Sequence, residues 1–200
     1  MAKVKLTKNE LKKQKDSLKM FRRYLPTLML KKQQLQMEVR LTEMRIRDLR
    51  AEKDLLNESF RTWIGVFAET GHFTTEVLKI VSLKTGSGNI AGVHIPVFEG
   101  AEFAVSGYDL YMTPLWLDNA VEKMKKVLLL DLEAEIVEEQ KKRLERELRV
   151  TTQRVNLFEK VKIPETQTSI KKIQVYLGDQ QTAAVVRGKI AKGRLEKAGE

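Results

Sequence analysis

The chain has 200 residues, no cysteine and a formal net charge of +10 at pH 7. Without cysteine, it forms no disulfide, thiolate zinc site or cysteine nucleophile. No stretch approaches the roughly 18 uncharged apolar residues that cross a bilayer, so we expect a protein that is cytosolic or peripheral to a membrane, without direct membrane insertion.

The positive charge is unevenly distributed. Residues 1–40 contain twelve Lys or Arg and three acids, whereas residues 68–118 contain two Lys or Arg and six acids. This asymmetry is typical of a protein that meets an anionic partner at one end, such as nucleic acid, a membrane or an acidic protein surface. A solvated helix face explains the same charge equally well.

The first predicted element, residues 1–67, is a coiled-coil helix. Thr7 and Glu10 have capping-box spacing, and Pro26 predicts a bend but not a stop. Twelve of the sixteen heptad positions are apolar. The two heptad rows are Leu11, Leu18, Leu25, Lys32, Val39, Ile46, Lys53 and Phe60, and Gln14, Phe21, Leu28, Leu35, Thr42, Leu49, Leu56 and Trp63. A helix of about 90 Å is too long for a 200-residue globule and needs a second helix along its seam.

The second predicted element, residues 68–118, is a small head with a β-hairpin. Two β-branched runs flank the glycine-rich segment 85–89, which we interpret as the hairpin turn. Pro96 is acceptable only on an exposed edge. A loop punctuated by Gly100, Gly107 and Pro114 follows, and its aromatic residues are expected to pack onto the end of the helix. These are Phe103, Tyr108, Tyr111 and Trp116.

The third predicted element, residues 119–200, is a second coiled-coil helix with a basic tip. Asp118 is a candidate cap, and apolar residues recur in steps of three and four up to Phe158. After Pro164 the same period continues one residue out of phase, which predicts a bend with a register adjustment. Two long helices joined by a head must run antiparallel. Residues 178–200 are predicted to be a slender helix, with a disordered tail as the alternative.

The sequence offers little for catalysis or cofactor binding. Gly86–Ala91 matches the dinucleotide pattern weakly, because a strand and not a helix is predicted to follow it. Neither histidine has a second ligand or an acid at functional spacing. The acidic run from Asp131 to Glu139 is interpreted as a solvated surface with two interhelical partners. We therefore predict no catalytic residue, no cofactor and no metal.

Four segments resemble one family. Thr152–Pro164 is similar to the TxRRVNALExxxIP segment of the D subunit of V-type (V/A-type) ATPases and ATP synthases. Val4–Leu11 looks like that family's VxPTKxEL opening, Leu28–Leu35 looks like its LLKxKRDxL run, and Asn89–Pro96 resembles its NIxGVxxP stretch. The chain is identified as a member of this family over nearly its whole length.

The resemblance implies a non-catalytic central rotor axle, peripheral on the cytoplasmic face of the membrane. Its implied partners are the F subunit, the catalytic A and B subunits and the ring-linking C/d subunit, and no nucleic acid is expected. The candidate partner-interface residues are Arg22, Arg23, Lys31, Lys32, Arg154, Asn156, Glu159, Arg187, Lys189, Lys192 and Arg194. On the residues alone, a cytosolic coiled-coil adaptor or a basic nucleic-acid-binding protein is the alternative.

Overall fold

The computed structural model describes residues 4–61, 78–105, 107 and 116–198. The described elements, in chain order, are α1 (Lys8–Arg61), β1 (Leu78–Ile90), β2 (Val93–Val105), α2 (Trp116–Asn156), a π-helix (Leu157–Lys162) and α3 (Ile163–Ala198). The predicted fold class, mainly α with long N- and C-terminal helices and a central β-hairpin, is confirmed.

The start of α1 shows one of the two hydrogen bonds of the predicted capping box, whereas the Glu10 carboxylate accepts a hydrogen bond from Gln14 Nε2 at 2.8 Å. The Thr7 hydroxyl oxygen accepts a hydrogen bond from the Glu10 backbone N–H at 3.3 Å, which satisfies a donor that has no partner within the helix. The Leu11 N–H donates to the Thr7 carbonyl at 3.0 Å. Pro26 lies inside the helix, which continues through it. The prediction that this proline does not stop the helix is confirmed.

The predicted heptad seam of α1 is the face that the fold covers. Each described seam position is buried or half-buried, and only Trp63 lies outside the described residues. Full burial is concentrated in the middle of the helix, at Leu35, Val39, Thr42, Ile46 and Leu49. Burying these side chains is the main favourable term in the fold, at about 25 cal/mol per Å² of apolar surface.

Contacts cluster into two compact units, residues 1–32 with 150–200 and residues 33–149. In the unit of residues 33–149, α1 and α2 run antiparallel. Glu43 pairs with Lys141 and Lys53 pairs with Asp131, so ten residues forward on α1 correspond to ten residues back on α2. The antiparallel arrangement predicted from the connectivity is confirmed there.

Two apolar clusters hold this unit together. Leu35, Val39 and Leu144 form one cluster with Ile95 of the hairpin. Ile46, Leu49 and Val137 form the other cluster between α1 and α2. The first cluster explains where the hairpin sits, because β2 inserts Ile95 beside both helices. Gln140 of α2 adds a hydrogen bond from its Nε2 to the Pro96 carbonyl at 2.6 Å.

The hairpin forms, but its turn is not the glycine-rich segment. Residues 85–89 lie within β1, and the strands reverse at Ala91 and Gly92, whose φ angles are 52° and 79°. Two positive φ angles are typical of a type I′ turn, whose twist matches that of the flanking strands. Asn89 supports it by accepting the Gly92 N–H on Oδ1 at 3.0 Å. The predicted turn position was wrong.

The predicted loop after the hairpin is also shorter than expected. Phe103 and Gly100 belong to β2, where Phe103 pairs with Ile80, and α2 begins at Trp116, before Asp118 and Asn119. Asp118 lies in the first helical turn and not before it. Tyr108 and Tyr111, and Pro114 with them, lie outside the described residues.

The predicted register adjustment is a π-helix directly before Pro164. The Ile163 N–H donates to the Phe158 carbonyl, five residues back, so this turn holds one residue more than an α-turn. Two heptads after the buried Thr151 stands Glu165, which is exposed, while its neighbour Thr166 is buried. The phase shift is confirmed, and it lies in residues 157–162. The widened turn also reduces the clash that Pro164 makes with a regular helix.

The C-terminal segment is helical, so the disordered-tail alternative is set aside for residues 178–198. α3 continues through Gly178, Gly188 and Gly193 and ends at Ala198. Most of its described side chains after Ile173 are exposed. Within the described ranges, no helix has a stretch that is both long and apolar enough to cross a bilayer.

Candidate partner-interaction surface

All eleven candidate interface residues lie in one unit, residues 1–32 with 150–200. Nine of them are exposed, and Lys31 and Lys32 are half-buried. Lys32 is also a seam position of α1, which accounts for its partial burial. The unit that carries the predicted interface is therefore also the unit that contains both chain ends.

The two basic candidates before Pro26 are exposed on α1. Arg22 and Arg23 form no ion pair within the part of the chain that the structure describes, so their positive charge is not compensated there. Phe21, next to them in sequence, is half-buried and stacks against Phe158. The helix thus turns its aromatic residue inward and its guanidinium groups to solvent, where they are available to an anionic surface.

The candidate interface residues around the π-helix are also exposed, while the aromatic residue among them is half-buried. Arg154 and Asn156 at the end of α2 and Glu159 in the π-helix are exposed. Phe158, between them, is half-buried against Phe21. Because a π-turn is wider than an α-turn, it changes the direction in which successive side chains leave the helix. The π-helix therefore affects the direction of Glu159 relative to Arg154 and Asn156, which precede it in α2.

The basic tip of α3 combines charge with exposed apolar surface. Arg187 and Arg194, seven residues apart, line one shallow groove together with Ile190, Ala191 and Leu195. Ile190 is 52% and Leu195 is 75% exposed. Residues at this spacing lie on one helix face, so the apolar side chains and both guanidinium groups are presented to the same partner. Lys189 and Lys192 are exposed on the same helix.

In the unit of residues 33–149, a row of ion pairs joins α1 to α2, and we call it the ion-pair ladder. The sequence predicted it only in part. Its pairs are Arg45–Glu133 at 2.6 Å, Lys53–Asp131 at 2.6 Å, Lys141–Glu43 at 2.9 Å, and Arg50–Glu138. Three carboxylates of the acidic run thus have interhelical partners, where two were expected. A fourth, Glu139, bonds Arg143 of the same helix at 2.9 Å.

Two pairs of the ladder favour the charged forms of Glu43, Lys141 and Arg45. The hydrogen bond from Lys141 lowers the pKa of Glu43, and the Glu43 carboxylate raises the pKa of Lys141. Hydrogen bonding to Glu133 raises the pKa of Arg45. Exposed pairs contribute little stability because water and salt screen them.

Nucleotide-site geometry does not appear at the glycine-rich segment. Gly86 and Gly88 pair with Val97 and Ile95 across the hairpin, and no helix starts after them. A Cβ on Gly86 would lie 2.3 Å from the Glu99 Oε1, so a larger residue there would make the exposed Glu99 side chain move. Among the described residues, no group of three His, Cys, Asp or Glu is arranged to hold a metal ion.

The two long helices and the central hairpin belong to a chain that matches a known family over nearly its whole length. A model of the family described as ATP synthase D subunit matches residues 10–193, which is nearly the whole chain. The chain belongs to the ATP synthase D-subunit family. The resemblance found in four separate sequence segments is thereby confirmed over one continuous range.

Individual members of the family match with similar coverage. The V-type ATP synthase D subunit of Borreliella burgdorferi is 52% identical over 197 residues, which cover 98% of this chain and 97% of that protein. The D subunit of Chlamydia trachomatis serovar L2 is 38% identical over 203 residues, covering 98% of each chain. That of Chlamydia pneumoniae is 38% identical over 200 residues, covering 96% of this chain and 93% of that protein.

Proposed function

We propose that this chain is the central rotor axle of a V-type ATPase or ATP synthase. It transmits torque between the membrane ion-translocating ring and the A/B catalytic hexamer, and it performs no catalysis itself. The observation that carries the proposal is the antiparallel pairing of α1 with α2 in a member of the D-subunit family. An axle needs two helices that cannot slide past each other.

Resistance to sliding has two physical sources in residues 33–149. Leu35, Leu49 and Leu144 are almost completely buried, so moving one helix along the other would expose them. The ion pairs between α1 and α2 add weaker, screened contacts to this register. Torque applied to one helix is therefore passed to the other while the same side chains stay in contact.

The partners of this axle are proposed to be the F subunit, the A and B subunits and the ring-linking C/d subunit, on the cytoplasmic face of the membrane. The eleven candidate residues supply the contacts. Exposed cations suit a surface that meets several equivalent faces in turn, because each screened contact is weak and easily exchanged.

We propose three functional segments for this axle. Residues 1–67 and 119–200 form the shaft, and residues 68–118 form the head.

The proposed mechanism couples rotation to catalysis by population shift. An asymmetric shaft would present a different side to each A/B interface, and each interface adopts the open or closed state that fits that side better. The π-helix and Pro26 are the sources of asymmetry along the shaft. ATP is made or hydrolysed at sites that belong to the other subunits.

Truncation of the tip tests the proposal in a reconstituted complex. Deleting residues 178–200 should lower the number of ions moved per ATP while the remaining chain still folds. The matched control is Arg187→Gln/Lys189→Gln/Arg194→Gln, which keeps the helix and removes three charges; it should reduce coupling less than the deletion does. Unchanged coupled turnover in the truncated complex would refute the tip's role.

Co-purification separates the axle from the alternatives raised by the sequence. A rotor component should bring down the F subunit and an A/B hexamer from cell extracts at moderate salt. A nucleic-acid-binding protein would instead bind DNA or RNA with an affinity that falls steeply as salt rises. Recovery of nucleic acid without A and B subunits would refute the axle role and support a nucleic-acid-binding protein.

A further inference from the structure

The positive charge of the protein is concentrated in the unit that contains both chain ends. Residues 1–32 and 150–200 form this unit, which we call the end unit, and we call these two segments its helical parts. The first part contains eleven Lys or Arg and two acids, and the second contains ten Lys or Arg and five acids, so the end unit has a formal net charge of +14. Residues 33–149 contain 16 Lys or Arg and 20 acids, a formal net charge of −4. The two helical parts of the end unit therefore carry net charge of the same sign.

No ion pair within the described part of the end unit joins its two helical parts. Such a pair needs a carboxylate, and the acids described there are Glu10, Asp16, Glu159, Glu165 and Asp179. Glu10 accepts a hydrogen bond from Gln14, and Glu165 lies 4.0 Å from Lys162, so both contact near neighbours in sequence. None of the five forms an ion pair or hydrogen bond with the opposite helical part. The ion-pair ladder between α1 and α2 thus has no counterpart within the end unit.

Apolar burial is also weaker in the end unit. Its buried side chains within the described ranges are two apolar residues, Val155 and Ile173, and two threonines, Thr151 and Thr166. Both apolar clusters described above belong to residues 33–149. The end unit therefore has less hydrophobic free energy with which to oppose the repulsion between its helical parts.

The repulsion acts over a distance at which salt controls its strength. The axes of packed helices are about 8–10 Å apart. The Debye length is about 30 Å at 10 mM salt and about 3 Å at 1 M salt. Like charges on the two helical parts therefore repel each other across the seam in dilute salt and are screened in concentrated salt. The ion-pair ladder has the opposite dependence, because salt screens an attraction there.

We propose that the end unit is a salt-dependent zipper. In dilute salt, repulsion separates its two helical parts, and in concentrated salt the screened seam closes, whereas residues 33–149 stay paired in both conditions. A surface with an excess of acidic side chains closes the same zipper when it contacts both helical parts, so binding also stiffens this part of the chain. The inference goes beyond the proposed axle role, and it is tested on the chain without other subunits.

Distances between spin labels test the zipper directly, because the chain has no cysteine of its own. Asn9→Cys/Gln174→Cys places labels at exposed positions of the two helical parts, and we call it the end pair. Double electron–electron resonance should give a narrow distance distribution for the end pair at about 1 M NaCl. At about 10 mM NaCl the distribution should be at least about twofold wider and shifted to longer distances.

A second label pair reports on the rest of the shaft. Ala51→Cys/Glu135→Cys places labels at exposed positions of α1 and α2 in residues 33–149. Its distance distribution should be the same at both salt concentrations, because the buried clusters hold this unit together. Opening of both label pairs to the same extent overturns the proposal.

Charge reversal on one helical part should remove the salt dependence. Lys12→Glu/Lys19→Glu changes two exposed residues of α1, lowers the net charge of the end unit by four and should keep the end pair narrow at about 10 mM NaCl. Lys79→Glu/Lys126→Glu is the matched control, because it makes the same change of charge at exposed residues of the other unit. This control should open like the wild type, and so should Lys12→Arg/Lys19→Arg, which keeps both charges.

An acidic polymer tests the effect of a negatively charged surface. Polyglutamate should narrow the end-pair distribution at about 10 mM NaCl, and polylysine of the same length should not. Failure of polyglutamate to do so overturns the proposal. A narrow wild-type distribution at about 10 mM NaCl, or a broad one at about 1 M, also overturns it. So does a salt dependence that persists in Lys12→Glu/Lys19→Glu, because salt would then not act through repulsion.

Discussion

The ring of Phe21 lies 5.3 Å from the ring of Phe158, and the two planes are tilted by 36°. This contact joins α1 to the π-helix within the unit formed by residues 1–32 and 150–200. Offset and tilted aromatic pairs are favourable beyond the area they bury. Phe158 lies one heptad after the buried Thr151, and its ring contact connects the π-helix to α1 within this unit.

Removing one ring of this pair should destabilise the protein. Phe158→Ala is expected to lower the free energy of unfolding by about 1–3 kcal/mol, less than for a fully buried phenylalanine. Leu157→Ala is the control, because Leu157 is 45% exposed and should change stability by less than about 0.5 kcal/mol. Urea denaturation measures both. A double-mutant cycle with Phe21→Ala should give a coupling of about 0.5–1.5 kcal/mol; additive effects would show that the rings do not interact.

The π-helix should be removable by a single deletion. Deleting Lys160 together with Pro164→Ala places Thr166 and Ile173 two and three heptads after Thr151, so the seam stays in phase in a regular helix. We expect stability within about 1 kcal/mol of wild type, because proline inside an α-helix, which costs about 3 kcal/mol, is removed as well.

The control for that deletion is the loss of Arg146 together with Pro164→Ala. Arg146 is exposed in a regular part of α2, so its deletion rotates the seam side chains between it and the π-helix, Leu148, Thr151 and Val155 among them, out of the interface. Thermal denaturation should show a loss of at least about 3 kcal/mol for this control. An equal loss of stability in both deletion variants would show that the extra residue is not located in the π-helix.

The core between the helices should be most sensitive at Leu144. This residue is fully buried beside Leu35, Val39 and Ile95, and Leu144→Ala should cost about 2–5 kcal/mol in free energy of unfolding. Leu55→Ala, at a residue that is 74% exposed, should cost less than about 0.5 kcal/mol. Chemical denaturation gives both values, and similar losses at the two sites would argue against this packing.

The hairpin turn should respond to substitution in opposite directions. Ala91 has φ 52°, which asparagine adopts more readily than alanine, so Ala91→Asn should raise stability by up to about 1 kcal/mol. Gly92→Val should lower it by about 1–2 kcal/mol, because a branched side chain resists φ 79°. Ala91→Val is the control at the first position and should also destabilise. Melting temperatures that do not separate Ala91→Asn from Ala91→Val would place the turn elsewhere.

Acid should weaken the ion-pair ladder. Lys141 lowers the pKa of Glu43, and a carboxylate with a lowered folded-state pKa stabilises the fold above its unfolded pKa and loses that effect as pH falls through the folded pKa. The stability difference between wild type and Glu43→Gln should therefore be present at neutral pH and vanish in acid. Glu52→Gln, which removes no ion pair within the described ranges, is the control. A difference that persists at low pH would show that the charge of Glu43 is not its cause.

The heptad pattern by itself determines most of the helical architecture. The seam of α1, its unbroken passage through Pro26 and the antiparallel partner all followed from apolar residues at steps of three and four. The phase change after Pro164 is predicted from the same pattern, because one inserted residue shifts every later apolar position by one. These features are local or periodic, so each is encoded in a short stretch of sequence.

Tertiary structure decided where those patterns are used. The glycine-rich residues 85–89 look like a turn, yet β1 pairs with β2 so that the chain reverses at Ala91 and Gly92. In this register Ile95 packs against Leu35 and Leu144, and that burial favours it over a turn at residues 85–89. Glu138 has Lys142 at favourable helical spacing but pairs with Arg50 across the interface. Long-range contacts select among locally acceptable options, and only the folded chain contains them.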